Sequence, residues 1–473
     1  MIATVFPGTA NGTVLAPPSK SMAHRNLICA ALSNGVSKVQ HIELSQDILA
    51  TMDCIRALGG KCEEQDGTVT VVGIFAKESV SEGGITFPCR ESGSTLRFFV
   101  PISMLFAGKK KFLGSEVLLS RPMSVYEELC KEQGIRFERA EGGIVCEGAL
   151  HGGEISVKGS ISSQFITGLL FTLPLLKENS IIHLIPPVES RSYIELTLLS
   201  LRKFGVQASW EDETTLYIPG GQTYQACDVV TEGDYSNAAF LDAFNLLGGN
   251  VQVTGLLADS LQGDKIYKKY YKLLGKNAQQ PGTELVDLLV ESLKANAACG
   301  NKAQEAQMQE AQMQEAQTQE AQAQEAQTQE AQAAEKLAAR REDGLPTMDL
   351  TDCPDLGPVL MMLAGVMGGA HFTGTRRLKM KESDRGKVMC EELAKFGIQT
   401  QMEEDEITVL PSQIHTPYEM VCGHNDHRIV MSMVLLMTLT GGAVDDAHAV
   451  NKSFPSFYEV AKSLGIQVQV SEN

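Results

Sequence analysis

Residues 18–25 read PSKSMAHR, and segments of this style occur six times along the chain. In each, small, hydroxyl-bearing, carboxamide or acidic residues, often with Gly or Pro, stand before an apolar helical pattern. The six segments are SKSMAHR near Lys20, ESGSTLR near Gly93, SSQFITG near Ser163, GDYSNAA near Tyr235, DCPDLGP near Asp355 and HNDHR near His427. Ser, Asp and Asn are natural N-caps. Each segment therefore predicts the start of a helix.

The spacing of these segments indicates six similar units, one of them interrupted. The intervals are 73, 70, 72, 120 and 72 residues, so the fourth exceeds its neighbours by 48. It contains residues 304–333, six copies of a five-residue unit running from QEAQM to QEAQA. A period of five never returns apolar residues to one helical face, which indicates a solvated helix or a disordered tract. The alternative is a partner-binding or coiled-coil arm, for which Ala and an occasional Met are the only apolar residues.

Length, net charge and cysteine content exclude several classes of protein. The 473 residues suffice for two or three domains, and a net charge of −18 argues against a nucleic-acid partner. We expect no spanning helix and no secretion signal. The eleven cysteines never occur as CxxC, which predicts idle thiols in a reducing compartment, the cytoplasm. In so acidic a chain, an anionic substrate requires that the cations be concentrated in one cleft.

Strand and helix patterns alternate, which indicates an α/β fold. VTVVG (69–73) predicts a strand and FITGLLFTLPLL (165–176) a buried helix. Three units per domain would produce two α/β domains that face each other. If the six helix N-termini converged on one cleft, their free N–H groups and dipoles would form an anion site.

Charged and hydroxyl groups in several of the segments suit phosphate or carboxylate binding. Lys20, Ser21 and Arg25 stand within about one and a half helical turns; the alternative is a capped surface helix. Gly93 allows a ligand to approach the backbone, and Arg121 can bind an anion bidentately. Residues 376–387 hold six cations and two acids. That run suits anion binding with proton transfer, although a solvated charged helix is the alternative.

In order and spacing, these motifs resemble the 5-enolpyruvylshikimate-3-phosphate (EPSP) synthase family. The matching motifs are SKS…R, SGST..R, RP, SSQF, SRSY, PD, KESDR, DHR and NKSFP, from about residue 8 to 465 except near 277–343. The related UDP-N-acetylglucosamine enolpyruvyl transferases carry Lys-Asn where this chain has Lys20-Ser21. They also have a catalytic Cys where this chain has Glu116. The resemblance therefore favours the shikimate ester as substrate.

The resemblance implies an inside-out α/β fold of two three-unit domains that close on substrate. The domains would comprise residues 16–228, and residues 1–15 with 229–473, the second interrupted by the insertion at about 283–342. It implies transfer of the enolpyruvyl group of phosphoenolpyruvate to the 5-hydroxyl of 3-phosphoshikimate. Phosphate would be eliminated from a tetrahedral intermediate, and the reaction would belong to the shikimate pathway. We expect a monomer with no metal, cofactor, nucleic acid or membrane partner.

The resemblance also assigns site residues. Asp355 would be the base for the hydroxyl, while Glu382 and Lys20 would exchange protons with the methylene carbon and leaving oxygen, in an order left open. The phosphoenolpyruvate contacts would be Lys20, Gly93, Arg121, Gln164, Arg385, Arg428 and Lys452. The 3-phosphoshikimate contacts would be Lys20, Ser21, Arg25, Ser162, Ser163, Gln164, Ser190, Asp355, Arg377 and Lys381. Arg97 and Tyr193 would support them, and His427 would orient Arg428 or act itself.

Two positions depart from the well-known bacterial pattern. Arg377 and Glu91 each stand where an Asn is common. Glu91 beside an anion site would weaken phosphoenolpyruvate binding unless the carboxylate is paired, with a partner that the sequence does not identify. The alternative from another class, an inactive anion-binding scaffold, should lack Lys20, Asp355, Glu382 or Arg428, and all four are present.

Overall fold

A computed structural model of the chain describes residues 1–76, 84–278 and 344–472. The pentapeptide tract and the whole of the predicted insertion at about 283–342 lie outside these residues. The helices are α1 (Lys20–Ala31), α2 (Gln46–Ala57), α3 (Gly93–Ser103), α4 (Glu116–Ser120), α5 (Ser124–Glu132), α6 (Ser163–Thr172), α7 (Arg191–Lys203), α8 (Tyr235–Leu246), α9 (Tyr267–Ala278), α10 (Gly357–Val366), α11 (Arg385–Ala394), α12 (His427–Thr440) and α13 (Phe457–Ser463). Short 3₁₀ helices occupy Ile74–Ala76, Leu173–Leu175, Gly263–Ile266, Pro354–Leu356, Thr375–Met380 and Ala447–Lys452.

In the part of the chain that the structure describes, six small sheets are built from 21 strands. They are β1 (Ile2–Val5), β2 (Asn11–Leu15), β3 (Val36–Gln40), β4 (Lys61–Gln65), β5 (Thr68–Val72), β6 (Ile85–Pro88), β7 (Lys109–Leu113), β8 (Arg136–Ala140), β9 (Gly143–Glu147), β10 (Gly153–Lys158), β11 (Ser180–Ile185), β12 (Ser209–Trp210), β13 (Thr215–Ile218), β14 (Val229–Val230), β15 (Asn250–Thr254), β16 (Thr347–Asp349), β17 (Ala370–Thr373), β18 (Thr400–Met402), β19 (Glu406–Val409), β20 (Gly442–Val444) and β21 (Val468–Ser471). The predicted strand at 69–73 is confirmed as β5.

Four of these sheets repeat one topology. Their orders are β14-β3-β5-β4, β6-β7-β9-β8, β10-β11-β13-β12 and β16-β17-β19-β18. In each, the first two strands are parallel and the next two pairings are antiparallel. The other strands form the parallel pair β2–β15 and the antiparallel sheet β20-β1-β21. The repetition accounts for four of the six units that the spacing predicts.

Five of the six sequence segments mark the first residue of a helix. Lys20, Gly93, Ser163, Tyr235 and His427 begin α1, α3, α6, α8 and α12. Each of these helices is preceded by a Ser or Asp whose side chain accepts a backbone N–H of the first turn. These side-chain caps satisfy donors that the helix leaves free. The sixth marker, Asp355, lies instead in the 3₁₀ turn that leads into α10, which has no side-chain cap.

The helices that start at the segments are interior helices, with the sheets outside them. All ten residues of α10 are buried, as are residues 427–439 of α12. A helix buried on every side must be apolar on every side, which accounts for runs such as VLMMLAGV (359–366). The outer strands instead alternate: β3 buries Ser37 and Val39 between exposed residues. The predicted helix at 165–176 is correct only to Thr172, because Pro174 lacks an N–H and the chain continues as 3₁₀ turn.

The described residues contain two separate apolar cores. The first core comprises buried residues between 23 and 229. The second core comprises buried residues of 3–16 together with buried residues between 235 and 468. The chain passes between them twice, and the two passages pair: Ser19 N donates to Glu232 O (2.8 Å) and Asp234 N to Pro17 O (2.8 Å). These cores support the proposal of two domains, 16–228 and 1–15 with 229–473, except that Ala16 packs in the second core and Val229 in the first.

Within the described residues, no helix is both long and apolar enough to cross a membrane. The ten cysteines of these residues are all free thiols, and seven of them are buried. This agrees with the prediction of unpaired thiols.

Candidate active site

A cleft between the two cores collects most of the predicted site residues. From the first core, its lining includes Lys20, Ser21, His24, Arg25, Asp47, Gly93, Ser94, Arg97, Phe98, Arg121, Pro122, Ile161, Ser162, Ser163, Gln164, Ser190 and Tyr193. From the second core, it includes Asp355, Arg377, Met380, Lys381, Glu382, Arg385 and His427. Of the predicted contacts, only Arg428 and Lys452 are not among the lining residues. Most residues named from nine separate motifs thus face one space.

The cleft is strongly cationic in an acidic chain. Seven Lys or Arg side chains line it against three Asp or Glu, while the chain as a whole carries −18. Helix N-termini add partial positive charge, because α1, α3, α6 and α12 all begin at the cleft. α8 contributes no residue to the lining, and the N–H of its first residue, Tyr235, donates to Gln262 Oε1 (3.0 Å). The condition that helix N-termini converge on one cleft is thus met by α1, α3, α6 and α12, and the concentration of cations is as expected.

Three arginines on the first-core wall have no carboxylate partner within the described residues. They are Arg25, Arg97 and Arg121. Arg25 is held by neutral oxygens instead: its Nε donates to Thr197 Oγ1 (2.9 Å) and its Nη1 to Ser21 O (2.7 Å). Burial lowers the pKa of Arg25 and of Arg97 to about 10, which leaves both protonated at neutral pH. Their charge is available to an anion.

The predicted amide contact, Gln164, is fixed from both ends. Its Oε1 accepts from Arg97 Nη1 (2.5 Å) and its Nε2 donates to Ser94 Oγ (2.8 Å). The guanidinium of Arg97 in turn stacks 4.9 Å from the ring centre of Phe165. Arg97 therefore holds Gln164 in one orientation at the edge of the cleft.

Gly93 lies against Arg121, as a close-approach glycine should. A Cβ at residue 93 would stand 2.7 Å from Arg121 Nη1, too close for any real contact. The Nε of Arg121 is buried without a hydrogen-bond partner in the described structure. Arg121 can therefore occupy its position only because residue 93 has no side chain.

Lys20 forms an ion pair on the first-core wall. Its Nζ lies 2.9 Å from Asp47 Oδ2, and the two side chains are 18% and 11% exposed. Burial would lower the pKa of Lys20, but Asp47 and Glu382 outweigh it and raise this pKa above the ordinary value. Lys20 is accordingly an ammonium in the free cleft.

Arg385 joins the carboxylates of the opposite wall. This side chain is 1% exposed. Its Nη1 donates to Asp355 Oδ1 (2.7 Å) and its Nη2 to Glu382 Oε2 (2.6 Å). Its Nε and Nη2 also donate to Asp426, at 2.8 and 3.1 Å. One guanidinium therefore fixes the relative position of Asp355 and Glu382.

Both of these carboxylates are ionised in the free cleft. Burial would raise the pKa of Asp355, but three cations led by Lys381, whose Nζ is 3.0 Å away, hold it well below its usual range. Burial would likewise raise the pKa of Glu382, and neighbouring cations led by Arg385 hold it well below. An ionised carboxylate can accept a proton, so each meets the first requirement of a general base.

The predicted ester contacts Ser190 and Arg377 are linked across the cleft. Arg377 Nη1 donates to Ser190 Oγ, and the Ser190 N–H donates to Asp352 Oδ1 (2.6 Å). Beside them Glu189, which is 2% exposed, pairs with Arg376 and lies 3.5 Å from Arg377 Nε. Arg377 therefore connects the two cores at this end of the cleft through a charged side chain. An Asn, which is common at this position in the family, carries no charge and could not form such an ion pair.

The remaining predicted cations, Arg428 and Lys452, are not among the lining residues. Arg428 Nη2 lies 3.9 Å from Asp355 Oδ2, and its Nε and Nη1 are buried without a hydrogen-bond partner in the described part of the chain. His427 lines the cleft, and burial lowers its pKa well below the ordinary value, so it is neutral. Lys452 Nζ lies 2.5 Å from Glu91 Oε2. The partner of Glu91 that the sequence did not identify is thus Lys452.

Four residues at or near the cleft were not predicted from the sequence. His24 lines the cleft and its Nδ1 lies 2.7 Å from Thr51 Oγ1. Asp47 and Asp426 are the counterions of Lys20 and Arg385. Asp264 is buried near Asp355, and burial together with that charge raises its pKa to about 7. His24 and Asp426 lie inside quoted motifs and could have been named, whereas nothing in the sequence singles out Asp47 or Asp264.

Among the described residues, no group of three metal-ligating side chains with suitable geometry lies in the cleft. Within the described ranges, the three-residue group of suitable geometry is Cys422, Asp445 and Asp446, which is not part of the lining. Both of its carboxylates accept backbone N–H groups, from Gly423 (2.7 Å) and Asn425 (2.8 Å). They hold the turn before α12.

Comparisons with known proteins agree with this geometry. The family described as EPSP synthase (3-phosphoshikimate 1-carboxyvinyltransferase) matches residues 6–310 and 289–461. Relatives with the name 3-phosphoshikimate 1-carboxyvinyltransferase include one from Clostridium beijerinckii, 35% identical over 98% of this chain and 97% of its own length. One from Clostridioides difficile is 33% identical over 98% and 97%.

Solved structures share the fold. An EPSP synthase from Acinetobacter baumannii aligns with a TM-score of 0.67 at 20% identity, covering 100% of both chains. The enolpyruvyl transferase NikO from Streptomyces tendae aligns with a TM-score of 0.65 at 13% identity, covering 99% of this chain and 98% of the other. The predicted α/β enolpyruvyl transferase fold is confirmed.

Proposed function

The chain belongs to the EPSP synthase family, and we propose that Asp355, Glu382 and Lys20 transfer the protons of its reaction. The enzyme moves the enolpyruvyl group of phosphoenolpyruvate to the 5-hydroxyl of 3-phosphoshikimate and releases phosphate. The observation that carries the proposal is the pair of ionised carboxylates held by one buried arginine in a cationic cleft.

The first-core wall binds 3-phosphoshikimate. Arg25 and the N-terminal turns of α1 and α6 offer an uncompensated cation, hydroxyl groups and helix dipoles to one dianion. From the other core, Lys381 and Arg377 approach the same space. The full set of ester contacts is Lys20, Ser21, Arg25, Ser162, Ser163, Gln164, Ser190, Asp355, Arg377 and Lys381.

Phosphoenolpyruvate binds beside the ester, at Arg121 and the start of α3. The proposed contacts are Lys20, Gly93, Arg121, Gln164, Arg385, Arg428 and Lys452. Arg121 and Arg428 suit this role because each has guanidinium nitrogens without a hydrogen-bond partner in the described structure. A bound phosphate or carboxylate would supply acceptors for them, and such charge-assisted bonds are among the strongest in proteins.

Asp355 accepts the proton of the 5-hydroxyl as its oxygen attacks C2 of phosphoenolpyruvate. In the free cleft the pKa of Asp355 is too low for a strong base. Substrate anions that bind Lys381, Arg385 and Arg428 compete for the cations that depress this pKa. The base therefore strengthens when both substrates are present, which suits it to act at that stage.

The resting charges divide the other two roles. Lys20 is an ammonium with a raised pKa, so it donates the proton that converts the C3 methylene into a methyl group. Glu382 is a carboxylate, so it removes a proton from that methyl group as the C2–O bond to phosphate breaks. This removal restores the methylene of the product. Arg385 positions Glu382 and Asp355 together throughout.

The cellular location, the oligomeric state and the division into domains are inferred from the family and from composition. We place the enzyme in the cytoplasm, as a monomer without metal or cofactor. Residues 16–228 form one domain and residues 1–15 with 229–473 form the other.

Purified protein tests the proposed function directly. Phosphate should be released from phosphoenolpyruvate only when 3-phosphoshikimate is added. UDP-N-acetylglucosamine in place of the shikimate ester serves as the control and should give no release. Release with the sugar nucleotide, or none with the ester, would overturn the assignment.

A further inference from the structure

The pair formed by Glu91 and Lys452 joins the two halves of the molecule next to the start of α3, where phosphoenolpyruvate is proposed to bind, although neither residue is among the lining residues of the cleft. Glu91 Oε2 lies 2.5 Å from Lys452 Nζ, and Asn425 Nδ2 donates to the same oxygen at 3.3 Å. Lys452 Nζ also donates to Asn425 O at 2.6 Å. Glu91 comes from the turn before α3, whereas Lys452 and Asn425 belong to the second core. The ammonium thus has a carboxylate and a carbonyl as its ligands.

The two members of this pair differ in exposure. The side chain of Lys452 is 11% exposed and that of Glu91 is 43% exposed. Glu91 precedes Ser92, the N-cap of α3, and Gly93, which packs against Arg121. A negative carboxylate therefore stands at the rim of a site that must receive the negative phosphate group. It can rotate into water at low cost, while the buried ammonium stays in place.

We propose that Glu91 is an internal competitor for Lys452, which phosphoenolpyruvate must displace in order to bind. This inference rests on the proposed function of the cleft. In the free enzyme Glu91 neutralises the ammonium. When the phosphate group of phosphoenolpyruvate enters, it replaces the carboxylate on Lys452, and Glu91 turns toward solvent. The enzyme thereby lowers its affinity for phosphoenolpyruvate and for weaker anions that would otherwise occupy Lys452.

The variant Glu91→Gln tests the proposal because it keeps the shape of the side chain and removes its charge. The KM for phosphoenolpyruvate should fall about three- to tenfold, the range expected when a partly exposed ion pair no longer competes. The KM for 3-phosphoshikimate should stay within about twofold, since a merely structural effect would not select one substrate. High salt should narrow the difference between variant and unaltered enzyme, because it screens the carboxylate.

Glu63→Gln is the matched control. Glu63 is an exposed carboxylate in β4, in the same half of the molecule, and it forms no ion pair within the described residues. Its replacement changes the net charge by the same amount without touching Lys452. It should leave the KM for phosphoenolpyruvate unchanged.

A double variant separates a direct effect from a distant one. If Glu91 acts through Lys452, then Glu91→Gln should change nothing further in a Lys452→Gln background. Where turnover of that background is too slow, calorimetric binding of phosphoenolpyruvate with 3-phosphoshikimate present makes the same comparison. An unchanged or raised KM in Glu91→Gln, or the same gain without Lys452, would overturn the proposal. Turnover by the unaltered chain tests the proposed function separately.

Discussion

The two walls of the cleft carry similar numbers of cations but treat them in opposite ways. On the first-core wall, Arg25, Arg97 and Arg121 have no carboxylate partner in the described structure, and neutral oxygens hold Arg25. On the second-core wall, Arg385 contacts three carboxylates and Lys381 contacts Asp355. In the described structure, the first-core wall presents arginines that have no counterion, whereas the cations of the second-core wall are paired with carboxylates.

This difference indicates two tasks. Unpaired buried cations cost stability until an anion arrives, so the first wall is built to bind. Cations that already have carboxylate partners attract a further anion less strongly than unpaired ones, but they fix those carboxylates and keep them ionised, so the second wall is also suited to proton transfer. Lys20 takes part in both tasks. It lies on the first-core wall and pairs with Asp47, and the nearby negative charge of Glu382 raises the pKa of Lys20.

The largest expected effect is on turnover, at the second wall. Asp355→Asn and Glu382→Gln should each lower kcat by about 10²–10⁴-fold, the usual loss for a general acid or base. Steady-state rates with both substrates saturating provide the measurement, and a circular dichroism spectrum checks the fold. Near-normal turnover in either variant would remove that residue from the mechanism and break the division between the walls.

The next effect is on stability, also at the second wall. Arg385→Gln removes a guanidinium that contacts the three carboxylates of Asp355, Glu382 and Asp426, and it should cost about 3–5 kcal/mol of unfolding free energy. In the unaltered enzyme the pKa values of Asp355 and Glu382 are depressed. Their contribution is therefore present above the unfolded-state values of about 4 and is lost as the pH falls through the folded-state values.

The pH dependence of that cost checks its origin. The deficit of Arg385→Gln in urea unfolding should be largest near pH 7 and should shrink toward pH 4, where protonation relieves the uncompensated carboxylates. A deficit independent of pH would mean that Arg385 stabilises the protein by packing alone.

The first wall should respond in the opposite sense. Arg121→Gln removes a cation that no carboxylate compensates, so its melting temperature should not fall. The KM for phosphoenolpyruvate should rise about 10- to 100-fold, as expected for the loss of charge-assisted hydrogen bonds. Comparison with Arg385→Gln sharpens the contrast, because that variant should lose stability. A marked loss of stability in Arg121→Gln would show that the first wall is also internally paired.

The smallest effect concerns Gly93. In Gly93→Ala the new Cβ meets Arg121 Nη1 at 2.7 Å, so the guanidinium must shift. Glyphosate, which we expect to compete with phosphoenolpyruvate, should lose more affinity than the shorter substrate, by about tenfold against a few-fold. Inhibition constants and KM values measured on the same preparation make the comparison. Equal losses would place the inhibitor away from residue 93.

Much of the site could be predicted because its residues lie in short motifs at the starts of helices. Asp355, Glu382 and Lys20 all line the cleft, as the resemblance implied. Arg385 was predicted as a clamp for phosphoenolpyruvate, and its contacts to Asp355, Glu382 and Asp426 were not foreseen. The α8 segment looked like the others, yet Gln262 covers the N-terminus of that helix.

The sequence by itself determined where the buried helices begin and that six units repeat, because capping and hydrophobic periodicity are local properties of neighbouring residues. Only the tertiary structure decided which charges are neutralised. Glu91 meets Lys452 across 361 residues, and Asp355 meets Lys381 only because a 3₁₀ turn and a loop face each other. Coulomb interactions depend on distance in space rather than along the chain. The identity of the charges is therefore written in the sequence, and their pairing is a property of the fold.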